Sequence, residues 1–180
     1  MNHPLTFIHK WNRKPVFVAL LVWTLVLFAI LQLLNQTLVT SAAPYGIVSH
    51  QFAWTTVKAQ TILTSWTGRS SLFATFSLGV DFLFIPSYVF TLGLGALLAA
   101  GRHRNMAVRL RQLGIWATYG VFAAAAFDIL ENILQAEQLL NDVITDTVTI
   151  LTGVCATLKF AFLALGILYG LVGLLLPKNR

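Results

Sequence analysis

Residues 117–132 read ATYGVFAAAAFDILEN. The first part is apolar or small almost throughout, and it closes on Asp128, Glu131 and Asn132. On a helix, Ala117, Gly120, Ala124, Asp128 and Glu131 fall on one face. That face is smooth at one end and strongly polar at the other. Ionisable groups at membrane depth are costly and normally face a bundle interior. The stretch therefore predicts a membrane helix that carries a polar site toward one end.

The rest of the composition agrees. The chain has 180 residues, of which 57% are hydrophobic and only 10% charged, against about 25% charged in a soluble domain. Four apolar runs reach the roughly 20 residues that cross a bilayer. The expected fold is all-α: a polytopic membrane four-helix bundle, one transmembrane domain over residues 1–180. Its spans fall at about 15–35, 71–100, 113–136 and 148–176. Cys155 is the lone cysteine and lies inside the last run. An intrachain disulfide and a cysteine metal cluster are thereby excluded, and Cys155 reads as a small packing residue.

Pro15 opens the first run, as proline favours the first turn of a helix. The run exceeds the about 7–15 apolar residues of a signal peptide core. Pro44 directly after Ser41-Ala42-Ala43 opposes cleavage there, so the run reads as a retained helix. Residues 37–70 form the first outer loop. Within it Val48, Phe52, Thr55, Ala59, Ile62, Leu63 and Trp66 recur at helical spacing, with Ser49, His50 and Gln51 mostly off that stripe. This predicts an amphipathic interfacial helix with Trp54 or Trp66 at headgroup level. In the second span, Pro86 predicts a kink. The segment GRHRNMAVRLRQ (residues 101–112) offers Arg102, Arg104, Arg109 and Arg111 to anionic headgroups. It is too short and too close to two spans to suggest nucleic acid.

With both termini on one side, that side carries nine of the twelve Lys and Arg residues. The other side holds Lys58, Arg69 and an acidic turn with Glu137, Asp142 and Asp146. The positive-inside rule then places both termini in the cytoplasm. The expected location is a bacterial inner membrane or an internal photosynthetic or respiratory one.

Comparing helix faces defines a candidate polar cluster: Asp81, Tyr88, Asp128, Glu131, Asn132, Thr152 and Lys159. Each of the last three spans is polar toward its outer half and small toward its cytoplasmic half, as in Gly166, Gly170 and Gly173. Small stripes let helices approach closely in lipid, so tight packing is expected below a polar pocket. Lys159 is expected to pair with Asp128, or else with Asp81. Three carboxylates against one lysine predict that at least one carboxylate is protonated at neutral pH.

Several chemistries drop out. His3, His9, His50 and His103 lie outside the spans, which speaks against a haem or chlorophyll ligand in the bundle. A di-iron site would need Glu-x-x-His pairs, and Lys159 competes with any hard cation. Neither a metal nor a cofactor is expected. Nucleophile-elbow, zinc-protease and phosphate-loop motifs are missing from the sequence.

One pattern runs Pro44-Tyr45-Gly46-Ile47-Val48-Ser49, then Ala59-Gln60-x-Ile62-Leu63-x-x-Trp66. It continues with Leu78-Gly79-x-Asp81-Phe82-Leu83-Phe84 and Asp128-Ile129-x-Glu131-Asn132. Over about residues 40–135 this resembles a group of small bacterial four-span membrane proteins. The resemblance implies that topology, a bacterial origin and the grouping of Asp81, Asp128, Glu131 and Asn132. It implies no mechanism.

Two functional classes follow. One is a binding or accessory protein: a subunit or assembly factor of a membrane complex, or a carrier of a hydrophobic ligand. Its partners are membrane lipids and either a larger membrane protein complex or a hydrophobic small molecule. The other is an intramembrane enzyme on a lipid-like substrate, with Asp128 or Glu131 as acid–base and Lys159 tuning it. A third reading of the cluster is an ion-pair network that fixes helix register. If Lys159 and Asp128 pair, Lys159→Met destabilises the protein in detergent unfolding by about 3 kcal/mol. Adding Asp128→Asn then restores part of that loss. A double variant no more stable than the single one refutes the pair.

Overall fold

The computed structural model describes residues 4–9, 12–102, 108–141 and 144–175. The described chain is all-helical, with no strand among the described residues. A 3-10 turn at Pro4–Phe7 leads to six helices: α1 (Arg13–Gln36), α2 (Ile47–Gln51), α3 (Thr56–Ser65), α4 (Arg69–Arg102), α5 (Val108–Leu140) and α6 (Asp146–Leu175). Four of them, α1, α4, α5 and α6, are long and apolar enough to cross a membrane. These lengths and compositions support a multi-pass membrane protein. At 34, 33 and 30 residues, α4, α5 and α6 each exceed the about 20 residues that a bilayer core requires. Helices α4 and α5 thus extend past both boundaries expected from the apolar runs, and α6 begins two residues before its expected start. The expected end of the fourth span at 176 lies outside the described residues, as does Asp142.

Helix α1 buries little. Val18, Val22, Trp23, Leu25 and Leu33 are all more than half exposed. Such an apolar surface fits lipid or a partner rather than water. Helix α4 runs without interruption through Pro86. Proline brings no amide to the carbonyl four residues back, so Phe82 loses that helical partner.

The chain divides into two compact units. The first comprises Met1–Thr24, Pro86–Ala125 and Lys159–Arg180. Its core joins Leu5, Leu94 and Leu97 with Phe17 and Leu20, and Thr24 and Thr91 share a 2.8 Å hydroxyl hydrogen bond. Small residues bring its helices close. A Cβ added to Gly166 would lie 2.6 Å from Val121, and one on Gly173 2.6 Å from Ala99. Packing is not tight along the whole stripe, however. Ala117, Gly120 and Ala123 line an apolar groove of about 600 Å³ with Trp116, Tyr119, Phe162 and Tyr169. Arg102 ends α4, and Arg109 and Arg111 lie in the first turn of α5; Arg104 lies outside the described residues.

The second unit comprises Leu25–Ile85 and Ala126–Leu158. Its core is Leu38, Ala43, Ala53, Ala59, Ile62, Trp66 and Ala74, with Leu63, Leu139 and Ile144 packed against it. The 37–70 connection contains two short helices, α2 and α3, in place of one continuous amphipathic helix. Trp54 breaks the phase between them with a positive φ of 62°. Trp66 is buried in the core, not placed at a surface, and its indole N–H donates to the Leu38 carbonyl at 2.8 Å. Trp54 remains partly exposed.

Asn35 at the end of α1 holds the start of α2. Its Oδ1 accepts from the Ile47 amide at 2.8 Å and its Nδ2 donates to the Tyr45 carbonyl at 3.3 Å. Gly46 sits inside this clamp at φ 59°, where any Cβ would overlap the Asn35 side chain. Gly68 has φ 58° with open space around it. Gly46→Ala is expected to cost about 2–4 kcal/mol, from backbone strain and overlap together. Gly68→Ala carries the backbone penalty alone, about 1–2 kcal/mol. Unfolding of both variants in the same detergent checks the ordering, and equal costs would refute the clamp.

Candidate functional site

One face of α5 carries Asp128, Glu131, Asn132, Gln135 and Gln138, spaced by three or four residues as a helical face requires. In the second unit this face is sealed. Glu131, Asn132 and Gln135 are 0% exposed, Gln138 1% and Asp128 3%. Five adjacent polar side chains buried in this way need donors and acceptors from their neighbours.

The amides supply them. Asn132 Nδ2 donates to Asp81 Oδ2 on α4 at 2.7 Å. Gln135 Nε2 donates to Glu131 Oε1 at 2.8 Å. Gln138 Nε2 donates to Thr152 Oγ1 on α6 at 3.1 Å. The Thr152 hydroxyl in turn donates to the Val148 carbonyl at 2.8 Å. The three amides are thus oriented by their partners, with nitrogen toward carboxylate or hydroxyl oxygen.

Helix α2 adds His50, buried and 3.4 Å from Gln135 Oε1 through Nδ1. Gln135 has already committed its nitrogen to Glu131, so its oxygen must accept. In that bond His50 Nδ1 carries the proton and Gln135 Oε1 accepts it. Its ring packs on Trp66, with centroids 5.7 Å apart. Burial drives the His50 pKa from 6.5 down to about 4, opposed by its hydrogen bonds to Gln135 and Gln138. The imidazole is neutral at pH 7.

Gln51 Oε1, Asn132 Oδ1 and Thr149 Oγ1 are buried with no hydrogen-bond partner among the described residues. Gln138 also reaches a pocket of about 280 Å³, shared with Gln60, Leu63, Thr64, Trp66, Ser71, Leu139 and Ile144. Above it, α3 is fastened to the start of α6. The backbone amide and hydroxyl of Thr56 both donate to Asp146 Oδ1. An aspartate in the first turn of α6 also suits the helix dipole.

Of the expected cluster, Asp81, Asp128, Glu131, Asn132 and Thr152 all belong to this unit. Asp81 meets Asn132 directly, and Thr152 joins through Gln138. Tyr88 and Lys159 belong to the first unit, where both are buried. There the Lys159 ammonium lies 5.1 Å from the Phe160 ring centroid. Sequence reasoning missed Gln135, Gln138, Thr149, His50 and Gln51. Extending the Asp128–Glu131 face past Ala136 would have found both glutamines. His50 and Gln51 carried no such signal, because α2 is out of phase with α3. Among the described residues, no group of three or more His, Cys, Asp or Glu could hold a metal ion. No family model matches the chain, and neither a curated protein nor a solved structure does.

His50 gives the fold a pH dependence. The unfolded histidine takes up its proton near pH 6.5, whereas the folded one resists until about pH 4. Its contribution to stability is complete above about pH 6.5 and is lost as pH falls toward 4, by about 3 kcal/mol in all. His50→Gln is expected to flatten this part of the profile. Unfolding measured from pH 7 to pH 4 checks it, and an unchanged slope in the variant would refute the assignment.

Proposed function

We propose that the chain is an integral membrane binding protein. It acts as a subunit or assembly factor of a membrane complex, or as a carrier of a hydrophobic ligand. In this reading the four long helices form a bundle in a bacterial inner membrane, or in an internal photosynthetic or respiratory one. Both termini face the cytoplasm, in keeping with the charge asymmetry of the sequence. The 37–70 connection faces outward, with α3 at the interface.

The observation that carries the reading is the sealed, acceptor-rich face of α5 beside a pocket capped by α3. An acid–base catalyst must come within hydrogen-bond reach of its substrate. Glu131 is wholly buried and one of its oxygens is held by Gln135, which favours binding over catalysis. The apolar groove along Trp116, Tyr119 and Tyr169 offers a second surface suited to acyl chains. Native mass spectrometry on protein released gently from its own membranes tests the proposal. A stoichiometric partner or a retained small molecule is the expected result. A bare monomer would overturn it.

A further inference from the structure

The charges of the chain are divided unevenly between its two units. The three segments of the first unit hold ten of the twelve Lys and Arg residues and none of the six Asp and Glu residues. Four of those cations, Arg102, Arg104, Arg109 and Arg111, fall within ten residues of one another. A dense basic segment next to an apolar span attracts anionic headgroups. The unit itself offers no carboxylate side chain to compete for it.

The apolar groove of about 600 Å³ lies in the same unit, between α5 and α6. Its floor is made of the small residues Ala117, Gly120 and Ala123. Trp116 and Tyr119, with ring centroids 6.3 Å apart, bound it on the α5 side, and Phe162, Leu165 and Tyr169 on the α6 side. Trp116 and Leu165 are more than half exposed, so the groove opens outward. From Leu113 to Ala123 it follows α5 for about 15 Å, half of the roughly 30 Å hydrocarbon core and so the depth of one leaflet. A further helix would have to bring its axis within about 8–10 Å of α5, against the two exposed rings. A flexible acyl chain fits between those rings and α6.

The register of α5 joins the groove to the charge. At about 100° per residue, the α5 positions that line the groove spread to about 80° on either side of position 109, and position 111 falls on the opposite face. Arg109 is four residues before Leu113 in the same helix, about 6 Å beyond it along the axis.

We infer that the groove between α5 and α6 holds one acyl chain of an anionic phospholipid, with its headgroup phosphate at Arg109. This rests on the binding reading above and names its ligand class. The lining accounts for the chain, and the register of α5 accounts for the head.

Native mass spectrometry of the full chain in detergent, titrated with phosphatidylglycerol or with phosphatidylcholine of the same acyl chains, tests it. One phosphatidylglycerol is expected to be retained about fivefold more tightly than phosphatidylcholine, the scale of one basic residue against an anionic headgroup. Arg109→Gln should remove that preference. Arg111→Gln makes the same charge change on the opposite face and should keep it. Ala123→Trp fills the half-buried floor and should weaken retention of both lipids. Equal retention of the two lipids by the unaltered chain overturns the inference, and this comparison stands even if a variant does not fold. A preference that survives Arg109→Gln, or that is lost equally in Arg111→Gln, overturns it as well. Undiminished retention by Ala123→Trp puts the lipid outside the groove, and a dimer that excludes lipid makes the groove a contact between copies; either result refutes the proposal. All of these leave the binding reading standing. A bare monomer released from its own membranes would remove that reading, and this inference with it.

Discussion

Everything in the second unit depends on how buried carboxylates are met. A carboxylate accepts and cannot donate, so each one removed from water must find N–H or O–H groups. Here Asp81 and Glu131 each accept from a side-chain amide of α5. An amide is two-ended: to give a nitrogen to an acid, it must turn its oxygen elsewhere. Pairing acids with Asn132 and Gln135 therefore moves the demand for donors one step outward. Gln135 passes that demand to His50, and Asn132 leaves it at its own Oδ1. The acceptor-rich face follows from this arithmetic of lone pairs.

The same demand explains why the 37–70 connection is packed rather than loose. His50 can answer Gln135 only if α2 is held down, and several independent ties hold it. Asn35 clamps the turn before α2, Trp66 donates to the Leu38 carbonyl, and Thr56 fastens α3 to Asp146. Ser65 and Ser70 add hydrogen bonds to Thr40 and Thr37. Each tie joins positions ten or more residues apart, so the connection gains stability from tertiary contact. Two helices of five and ten residues would not persist alone.

The four long helices were legible because lipid leaves few options. A run of about 20 apolar residues in a bilayer has to be a helix. Asp81, Asp128, Glu131 and Asn132 were legible for the same reason, since a charge in such a run stands out. Gln135 and Gln138 were not, because they fall beyond the point where apolar periodicity fades near Ala136. The helix continues to Leu140, with Leu139 packed against the core of the second unit. His50 and Gln51 were misread because a stripe drawn through residues 48–66 assumes one unbroken helix. The positive φ at Trp54 shifts the phase, and the polar side of α2 turns inward while Val48 turns partly out. No local pattern announces a single left-handed tryptophan.

A polar network kept only to fix helix register would end once its acids were satisfied. The Asp81–Asn132 pair meets that need between α4 and α5, and Gln138–Thr152 meets it between α5 and α6. Gln51 and Thr149 add nothing to either contact, yet both bury polar atoms with no partner among the described residues. Leucine or valine at those positions would keep the shape and remove the cost. Penalties of about 1–3 kcal/mol per atom, repeated over several atoms, approach the about 5–15 kcal/mol that holds a whole domain together. Buried polar atoms of this kind are met in folded interiors by donors beyond the protein's own side chains, ordered water among them.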